Sequence, residues 1–310
     1  MKPVVLILNV LADAQRSQIE QHYQVIYAPT PQARAEQIAA HGADVQAVLT
    51  IGTVGLTAAE IDAMPRLTLA CTLGVGYEQV DTTYARARGI ALANGAGTNA
   101  DVVADQAFAL LLAVVRQIPA NDRAARGGAD RDHMPMLPQV ARKRMGIMGL
   151  GAIGAKIAQR AIGFDMEVGY YSRTQRADSP HRYFATLAEL AQWCEVLVVA
   201  APGGAATKHA VDADILAAVG ANGYLVNISR GSVVDTDALA AALRNGVIAG
   251  AGLDVHESEP APPLPLVDLD NVVLSPHVGG RSPQAVQNTL DRFLANADGH
   301  FSGKGVVSPI

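Results

Sequence analysis

The sequence has very few cysteines, since Cys71 and Cys194 are the only two among 310 residues. They lie far apart in apolar, strand-like segments. Neither has the CxxC spacing or the neighbouring histidine cluster that a zinc or redox site requires. We therefore interpret both as reduced thiols of a protein core, and the sequence predicts no metal site.

Charge is also sparse, because only 17% of the residues are charged. The 24 basic and 29 acidic side chains give a formal net charge of −5, and half of the residues are hydrophobic. This composition is not typical of disordered chains, and the acidic balance argues against an extended nucleic-acid surface. We expect a globular protein without a nucleic-acid partner.

Long apolar runs are absent as well. The longest charge-free stretches, residues 45–59 and 215–229, are shorter than the roughly 18 apolar residues of a membrane span and contain glycine or polar residues. The apolar segment at 4–8 has no small-residue cleavage site after it, which favours a first β-strand over a signal peptide. The sequence therefore predicts no membrane association, and we expect a cytoplasmic protein.

Apolar strand-like runs alternate with Ala- and Leu-rich helical segments, which is typical of α/β folds with parallel sheets. The strands are too many for one sheet, and the chain is longer than one domain of roughly 100–200 residues. We therefore predict two doubly wound parallel-sheet domains. The predicted strands are 4–9, 25–27, 47–50, 67–71 and 90–93 in a first series and 145–148, 167–171, 195–200, 223–227, 247–253 and 271–274 in a second. A long helix at 101–116 and a stretch at 121–144, interpreted as a linker, separate the two series.

A glycine-rich motif follows the predicted strand at 145–148. It reads Gly149-Leu150-Gly151-Ala152-Ile153-Gly154 and opens a predicted helix at 152–162. In this position the first glycine permits a tight turn, the second lets the backbone approach a pyrophosphate, and the third allows close packing of helix and strand. The alternative is a glycine-rich turn that binds nothing. We predict a dinucleotide site formed by Gly149, Gly151, Ala152, Ile153 and Gly154.

The strand at 167–171 should present the group that contacts the adenosine ribose, for which NAD sites use Asp or Glu. Here the chain continues Ser172-Arg173-Thr174-Gln175-Arg176 and has no acid. Arg173, assisted by Ser172, Thr174 and Arg176, would bind a 2′-phosphate through charge-assisted hydrogen bonds. We therefore predict NADP as the preferred cofactor and NAD as the poorer one, the alternative being a pair of solvated arginines.

Three polar side chains in the second half, Arg230, Glu259 and His277, each follow a predicted strand. The carboxyl ends of parallel strands line one edge of an open sheet, where ligands bind. The three side chains can therefore converge on one point.

Together these motifs resemble, in order, those of the D-isomer-specific 2-hydroxyacid dehydrogenase family. The matching segments are residues 74–81, 94–105, 149–154, 227–231, 254–260 and 275–280. The resemblance implies that Arg230 binds the carboxylate and carbonyl of a 2-oxo acid, that His277 donates a proton and that Glu259 pairs with His277. This chemistry is coherent, because hydride addition leaves charge on the carbonyl oxygen, and an adjacent carboxylate keeps an imidazole protonated.

The resemblance also implies further binding residues. Leu73 and the backbone N–H groups of Val75 and Gly76 would contact the substrate, and Asp254 would hold the nicotinamide carboxamide. Other residues would line the cofactor site, namely Thr98, Pro202, Thr207, Ile228 and Gly279. A Rossmann cofactor domain at 101–283 would be inserted into a flavodoxin-like substrate domain at 1–100 and 284–310, and the chain would form a homodimer.

Within the family, the chain is most similar to the glyoxylate/hydroxypyruvate reductase branch. The expected activity is NADPH-dependent reduction of a small 2-oxo acid to the D-2-hydroxy acid. The segment at 133–138 lacks an aromatic residue that is common in the family, which leaves the side chain of the substrate open. The alternatives are a reductase of larger sugar-derived 2-oxo acids such as 2-ketogluconate, and a dinucleotide-sensing binding protein without turnover.

Overall fold

The computed structural model describes residues 2–310. The strands are β1 (Val4–Ile7), β2 (Gln24–Tyr27), β3 (Ala47–Thr50), β4 (Leu69–Thr72), β5 (Ala91–Ala93), β6 (Arg144–Met148), β7 (Glu167–Tyr171), β8 (Arg182–Phe184), β9 (Val196–Val199), β10 (Tyr224–Asn227), β11 (Gly250–Leu253) and β12 (Val272–Leu274). The α-helices are α1 (Asp13–His22), α2 (Pro31–His41), α3 (Ala58–Asp62), α4 (Thr82–Ala87), α5 (Ala100–Val115), α6 (Ile118–Arg126), α7 (Ala152–Ile162), α8 (Leu187–Trp193), α9 (Ala213–Val219), α10 (Thr236–Arg244) and α11 (Pro283–Phe301).

The chain divides into two compact units. The first consists of the residues up to Asn99 together with Ser282–Ile310. Its five parallel strands have the order β2-β1-β3-β4-β5, which is the flavodoxin-like arrangement. Both faces of this sheet are covered, which explains why its strands are continuous apolar runs without alternation.

The second unit, Ala100–Arg281, contains a seven-stranded parallel sheet of order β12-β11-β10-β9-β6-β7-β8. The order reverses between β6 and β9, as in the Rossmann fold. Helices α5 and α7 cover one face of this sheet, where Leu111 and Ile157 are fully buried beside Ile147. Helices α8, α9 and α10 contribute to the core on the other face. The prediction of two doubly wound parallel-sheet domains is confirmed.

One local prediction was wrong, and one strand was missed. The segment at 121–144, interpreted as a linker, contains the end of α6 and a short 3₁₀ helix at Arg131–His133. Strand β8 was not predicted at all. Strand β8 buries only Phe184 and has three residues, which is too few for a periodic pattern. Helix α6 has no buried side chain, and its exposed polar residues resemble those of a linker.

The remaining sequence predictions concern the core and the membrane. Cys71 and Cys194 are free thiols, and both side chains are buried in the core as expected. Within the part of the chain that the structure describes, no single helix is long and apolar enough to span a membrane. Helices α5 and α6, which are bent by 59° at the break between them, meet this criterion only as a pair, by length and composition.

Candidate active site

The turn after β6 has a conformation and contacts that require glycine. Gly149 has φ +99°, and a Cβ there would lie 2.8 Å from the backbone of Ala201. A Cβ on Gly154 would lie 2.1 Å from the carbonyl oxygen of Gly149, whereas one on Gly151 would meet nothing within 4 Å. The first and third glycines are therefore required by packing, and the second leaves room beside the turn for a ligand.

Helix α7 begins directly after this turn, with Gly151 as an N-cap that offers no side-chain acceptor. The N–H of Ala155 donates to Gly151 O at 2.9 Å. Among the described residues, the N–H groups of Ala152, Ile153 and Gly154 have no acceptor. Unpaired N–H groups at the positive end of a helix suit a phosphate, so the residues present fit the diphosphate of a dinucleotide.

The position of this turn in the sheet supports the same assignment. It follows β6 at the point where the strand order reverses, which is where ligands bind in open α/β sheets. The segment after β9 lies against it, because Ala201 contacts Gly149. Thr207 Oγ1 donates to Pro202 O at 2.8 Å and closes that segment into a compact loop.

Beyond β7 the chain exposes one arginine and holds another in place. Arg173 is exposed and has no hydrogen bond or ion pair within residues 2–310. Arg176 instead pairs with Asp178, with 2.9 Å between Nη2 and Oδ2, and donates from Nη1 to Leu150 O at 3.0 Å. Arg176 therefore braces the glycine turn, and Arg173 is the cation available to a ligand.

Glu259 and His277 form a hydrogen-bonded pair in the segments that follow the neighbouring strands β11 and β12. Glu259 Oε2 lies 2.8 Å from His277 Nδ1, and Glu259 Oε1 accepts the N–H of His256 at 2.7 Å. His277 has φ +54°, a left-handed conformation that few non-glycine residues adopt. Its side chain is 48% exposed, and Nε2 has no partner among the described residues. The ring is thus fixed by one nitrogen and presents the other.

Asp254, directly after β11, organises the loop that carries His277. Its side chain is buried, and Oδ1 accepts Ser275 Oγ at 2.7 Å and Val278 N–H at 3.1 Å. Oδ2 accepts Gly279 N–H at 2.8 Å, and the Asp254 carbonyl accepts His277 N–H at 2.8 Å. A carboxylate has about four lone-pair sites. Oδ2 therefore keeps one lone-pair site unused, and a contact of Asp254 with the carboxamide stays a prediction.

Arg230 follows β10 and lies between two neighbouring segments. A Cβ on Gly203 would lie 2.7 Å from Arg230 Cγ, so the aliphatic part of Arg230 packs against that glycine. A Cβ on Gly231 would lie 2.0 Å from the carbonyl carbon of His256, the residue whose N–H holds Glu259. The segments that carry Arg230, Glu259 and His277 therefore come together at the carboxyl edge of the second sheet.

In the first unit, the loop after β4 holds two unpaired backbone N–H groups. Gly95 N–H donates to Gly74 O at 2.9 Å, and Asn94 Nδ2 donates to Val75 O at 2.8 Å. The C=O and N–H of a trans peptide point in opposite directions. The N–H groups of Val75 and Gly76 are therefore turned away from these anchors, and no described acceptor contacts them. Two successive N–H groups without an acceptor form a nest that suits a carboxylate.

The other predicted residues have protein contacts of their own. Leu73 is partly buried against the core of the first unit, and Ile228 is only 6% exposed. Thr98 Oγ1 donates to Gly95 O at 2.7 Å, and Ser172 Oγ donates to Thr174 O at 2.7 Å. Their contacts with a ligand stay predictions.

Sequence reasoning missed three residues that shape these loops: Gln106, Asn94 and Gly203. Gln106 Nε2 donates to Ser275 Oγ at 2.9 Å and lies 3.4 Å from Asp254 Oδ1. An amide within an otherwise apolar stretch of helix was the signal that could have pointed to Gln106. Asn94 lies in the matching segment 94–105 but had no individual prediction, and Gly203 gave no signal, because its contact with Arg230 depends on the tertiary fold.

Residues 108–279, more than half of the chain, match the family model described as D-isomer specific 2-hydroxyacid dehydrogenase, NAD binding domain. The chain belongs to the D-isomer specific 2-hydroxyacid dehydrogenase family. Its recognition from the ordered motifs is thereby confirmed. As a D-2-hydroxyacid dehydrogenase it is an oxidoreductase that uses a nicotinamide dinucleotide, for which the glycine turn provides a fitting site.

Relatives of this D-2-hydroxyacid dehydrogenase have several substrates in their names. It is 34% identical over 307 residues to hydroxyphenylpyruvate reductase of Plectranthus scutellarioides, covering 99% of this chain and 98% of the relative. It is 34% identical over 310 residues to 2-ketogluconate reductase of Gluconobacter oxydans (strain 621H), covering 100% and 99%. A solved structure of NADPH-dependent glyoxylate/hydroxypyruvate reductase from Sinorhizobium meliloti, in complex with NADP and malonate, has a TM-score of 0.90 and 34% identity, covering 100% and 97%.

Proposed function

We propose that this D-2-hydroxyacid dehydrogenase reduces a small 2-oxo acid of the glyoxylate or hydroxypyruvate type to the D-2-hydroxy acid with NADPH. The observation that carries the proposal is the 2.8 Å contact between Glu259 and His277, with Nε2 of His277 left without a protein partner. The bound nicotinamide cofactor supplies the hydride. The residues of the chain supply the proton, bind the acid and select the cofactor.

His277 acts as the proton donor in this proposal. Addition of a hydride to a carbonyl carbon places negative charge on the oxygen, which a positioned imidazolium can neutralise by giving up a proton from Nε2. Glu259 accepts the Nδ1 proton and so fixes the tautomer and the ring orientation, while His256 N–H holds Glu259. In the reverse direction, the neutral imidazole takes the proton from the hydroxyl group.

Arg230 provides the cation for the 2-oxo acid in the second unit. A guanidinium offers two parallel N–H donors, which match a carboxylate or a neighbouring carboxylate and carbonyl oxygen. In the first unit, the unpaired N–H groups of Val75 and Gly76 form a second group that favours a carboxylate. We infer that Ala100–Arg281 binds the cofactor and supplies Arg230 for the acid, and that the discontinuous unit is the substrate domain that the family resemblance implies.

The preference for NADPH rests on Arg173. No acidic residue occurs between Tyr171 and Arg176 to accept a ribose 2′-hydroxyl, and the guanidinium of Arg173 is exposed without a protein partner. A carboxylate at this place would repel a 2′-phosphate, whereas a free guanidinium attracts it. The neighbouring Arg176 contributes less than the sequence predicts, because Asp178 already pairs with it.

A cofactor and substrate panel tests the proposal. The purified protein is mixed with NADPH or NADH and with glyoxylate, hydroxypyruvate, pyruvate, hydroxyphenylpyruvate or 2-ketogluconate at equal concentrations, and loss of the reduced cofactor is followed. We expect the highest kcat/KM with NADPH and glyoxylate or hydroxypyruvate. Turnover mainly with 2-ketogluconate would favour the larger sugar-derived acids. These are the second candidate substrates because of the similarity to the Gluconobacter reductase.

A further outcome has a defined meaning. Tight binding of NADPH without turnover of any acid in the panel would identify a dinucleotide-sensing protein. The Glu259–His277 pair argues against this outcome.

We also expect the chain to be a homodimer, as the family resemblance implies, and analytical ultracentrifugation measures this directly.

A further inference from the structure

We propose that Gln106 is a positioning residue for His277, acting through Ser275 and Asp254. The inference rests on the proposed function of His277 as proton donor. Gln106 lies on α5, and its Nε2 is 2.9 Å from Ser275 Oγ and 3.4 Å from Asp254 Oδ1. A single side chain from this helix thus reaches both groups that hold the loop of His277.

The direction of these hydrogen bonds is determined by the groups themselves. An ionised carboxylate only accepts, so Ser275 Oγ must donate its one hydrogen to Asp254 Oδ1 across the 2.7 Å contact. Ser275 Oγ then has lone pairs but no hydrogen left for Gln106. The amide of Gln106, which carries two hydrogens, is the donor to Ser275. The chain of hydrogen bonds therefore runs one way, from Gln106 to Ser275 to Asp254.

Asp254 in turn accepts hydrogen bonds from three successive backbone amides. The N–H of His277 donates to its carbonyl, and those of Val278 and Gly279 donate to its carboxylate. His277 is held at φ +54°, which costs energy for a residue with a Cβ unless surrounding contacts impose it. The hydrogen bonds to Asp254 impose this conformation. The amide of Gln106 stabilises Asp254 and Ser275 by donating hydrogen bonds to them.

The apolar part of Gln106 contacts the same loop. A Cβ on Gly279 would lie 3.1 Å from Gln106 Cγ and 2.6 Å from Asp254 Oδ2, so the glycine is packed between these two side chains. The acidic residues of α5 have other partners, since Asp101 pairs with Lys156 and Asp105 pairs with Arg160 on α7. Gln106 is the polar side chain that α5 directs to the loop of His277.

The variant Gln106→Leu keeps a similar volume and removes the donor, and Ser275→Ala removes the middle group. We expect each to lower kcat by roughly 10- to 100-fold, because small displacements of a catalytic group have effects of this size. A less well oriented His277 loses its hydrogen bond with Glu259, so the effect should fall on kcat more than on the KM for the acid. NADPH should still bind, because the glycine turn and Arg173 are untouched. The double variant should be no worse than the poorer single variant, because both act through one network.

Gln106→Glu provides a variant of nearly equal shape. Its ionised form lacks the donor and faces the carboxylate of Asp254, whereas its protonated form donates to Ser275 again. The ratio of its activity to that of the parent protein should therefore rise as the pH falls. Asp105→Asn, next to Gln106 on the same helix but exposed, is the control and should leave the pH profile unchanged.

Nuclear magnetic resonance of ¹⁵N-histidine-labelled protein reads the position of His277 without turnover, with its signals assigned by His277→Gln. Gln106→Leu should change the imidazole signals of His277, and Asp105→Asn should not. Unchanged signals or an unchanged kcat in Gln106→Leu, or a loss of activity that merely follows a lower Tm, would overturn the proposal. If Gln106→Leu alters the His277 signals but the parent protein reduces no 2-oxo acid, the positioning role stands and the proposed function is refuted.

Discussion

His209 Nε2 lies 2.6 Å from Glu257 Oε1, and this ion pair joins the segment after β9 to the segment after β11. The second oxygen of Glu257 accepts the N–H of Thr236 at 3.0 Å. Burial is the largest influence on Glu257 and opposes its ionisation. The hydrogen bonds from His209 and Thr236 together outweigh burial and hold its pKa below the ordinary value.

This pair predicts a defined dependence of stability on pH. Because the pKa of Glu257 in the fold is below that of the unfolded chain, about 4.3 for glutamate, its carboxylate stabilises the fold above that pH. The contribution disappears as the pH falls through the lower, folded value. We expect Glu257→Gln to lower the Tm at neutral pH, and the difference from the parent to vanish in acid. Thermal unfolding at a series of pH values measures this, with the exposed Glu167→Gln as control. A difference that stays constant with pH would contradict the role of the ion pair.

Removal of the proposed proton donor should separate chemistry from binding. His277→Ala is expected to lower kcat by about 10²- to 10⁴-fold, which is the usual contribution of a general acid. Binding of NADPH, measured by fluorescence titration, should be preserved because the glycine turn is untouched. Glu259→Gln should reduce kcat less, because an amide beside Nδ1 still offers a hydrogen-bond acceptor to the ring but not the charge of the carboxylate. A kcat equal to that of the parent in His277→Ala would refute its role.

Arg230→Lys keeps the positive charge and removes the planar pair of donors. We expect the KM for the 2-oxo acid to rise by roughly tenfold or more, since bidentate recognition of a carboxylate is not reproduced by an ammonium group. Steady-state kinetics with varied acid and saturating NADPH gives this value. An unchanged KM would place the acid elsewhere.

The cofactor preference should depend on Arg173 and much less on Arg176. Arg173→Ser removes the exposed guanidinium and is expected to lower kcat/KM for NADPH by roughly tenfold while leaving the value for NADH similar. Arg176→Gln is the matched comparison, because that guanidinium already pairs with Asp178. Equal ratios of NADPH to NADH activity in the parent and in Arg173→Ser would exclude a 2′-phosphate contact by Arg173.

The two thiols should be unreactive in the folded protein. Burial raises the pKa of Cys71 and of Cys194 to about 12 in each case. Alkylation requires the thiolate, so iodoacetamide at mildly alkaline pH is expected to modify neither residue in the native protein and both in urea. Mass spectrometry of the intact chain counts the modified residues. Labelling of either thiol without denaturant would show that the core opens there.

The sequence was most informative where a structural requirement is local. The glycine turn needs only a strand before it and a helix after it, and the predicted helix at 152–162 has the bounds of α7. Strand β8 has three residues at the edge of its sheet, too few for a pattern. The contacts of Gln106 are to residues more than a hundred positions away. Sequence spacing does not predict a contact over such a distance. A single amide in a helix can also have many other roles.

Similarly, the two arginines near residue 174 look equivalent in the sequence, and only the structure distinguishes them. Arg176 has Asp178 two positions later, a spacing from which pairing could have been suspected. Its second partner, Leu150 O, depends on the return of the chain to the glycine turn. The tertiary fold therefore decides which guanidinium remains available.

Helix α11 contributes Leu290, Phe293 and Ala297 to the core of the first sheet, against Val5 and Cys71 among others. This unit is made from two separated parts of the chain, whereas Ala100–Arg281 is continuous. During synthesis by the ribosome, the continuous unit can fold as soon as it has emerged. The strands of the first unit must wait, with one apolar face only partly covered by Ile19 and Tyr23, until residues 282–310 have been translated. We therefore expect nascent chains stopped before residue 282 to bind chaperones through the early strands.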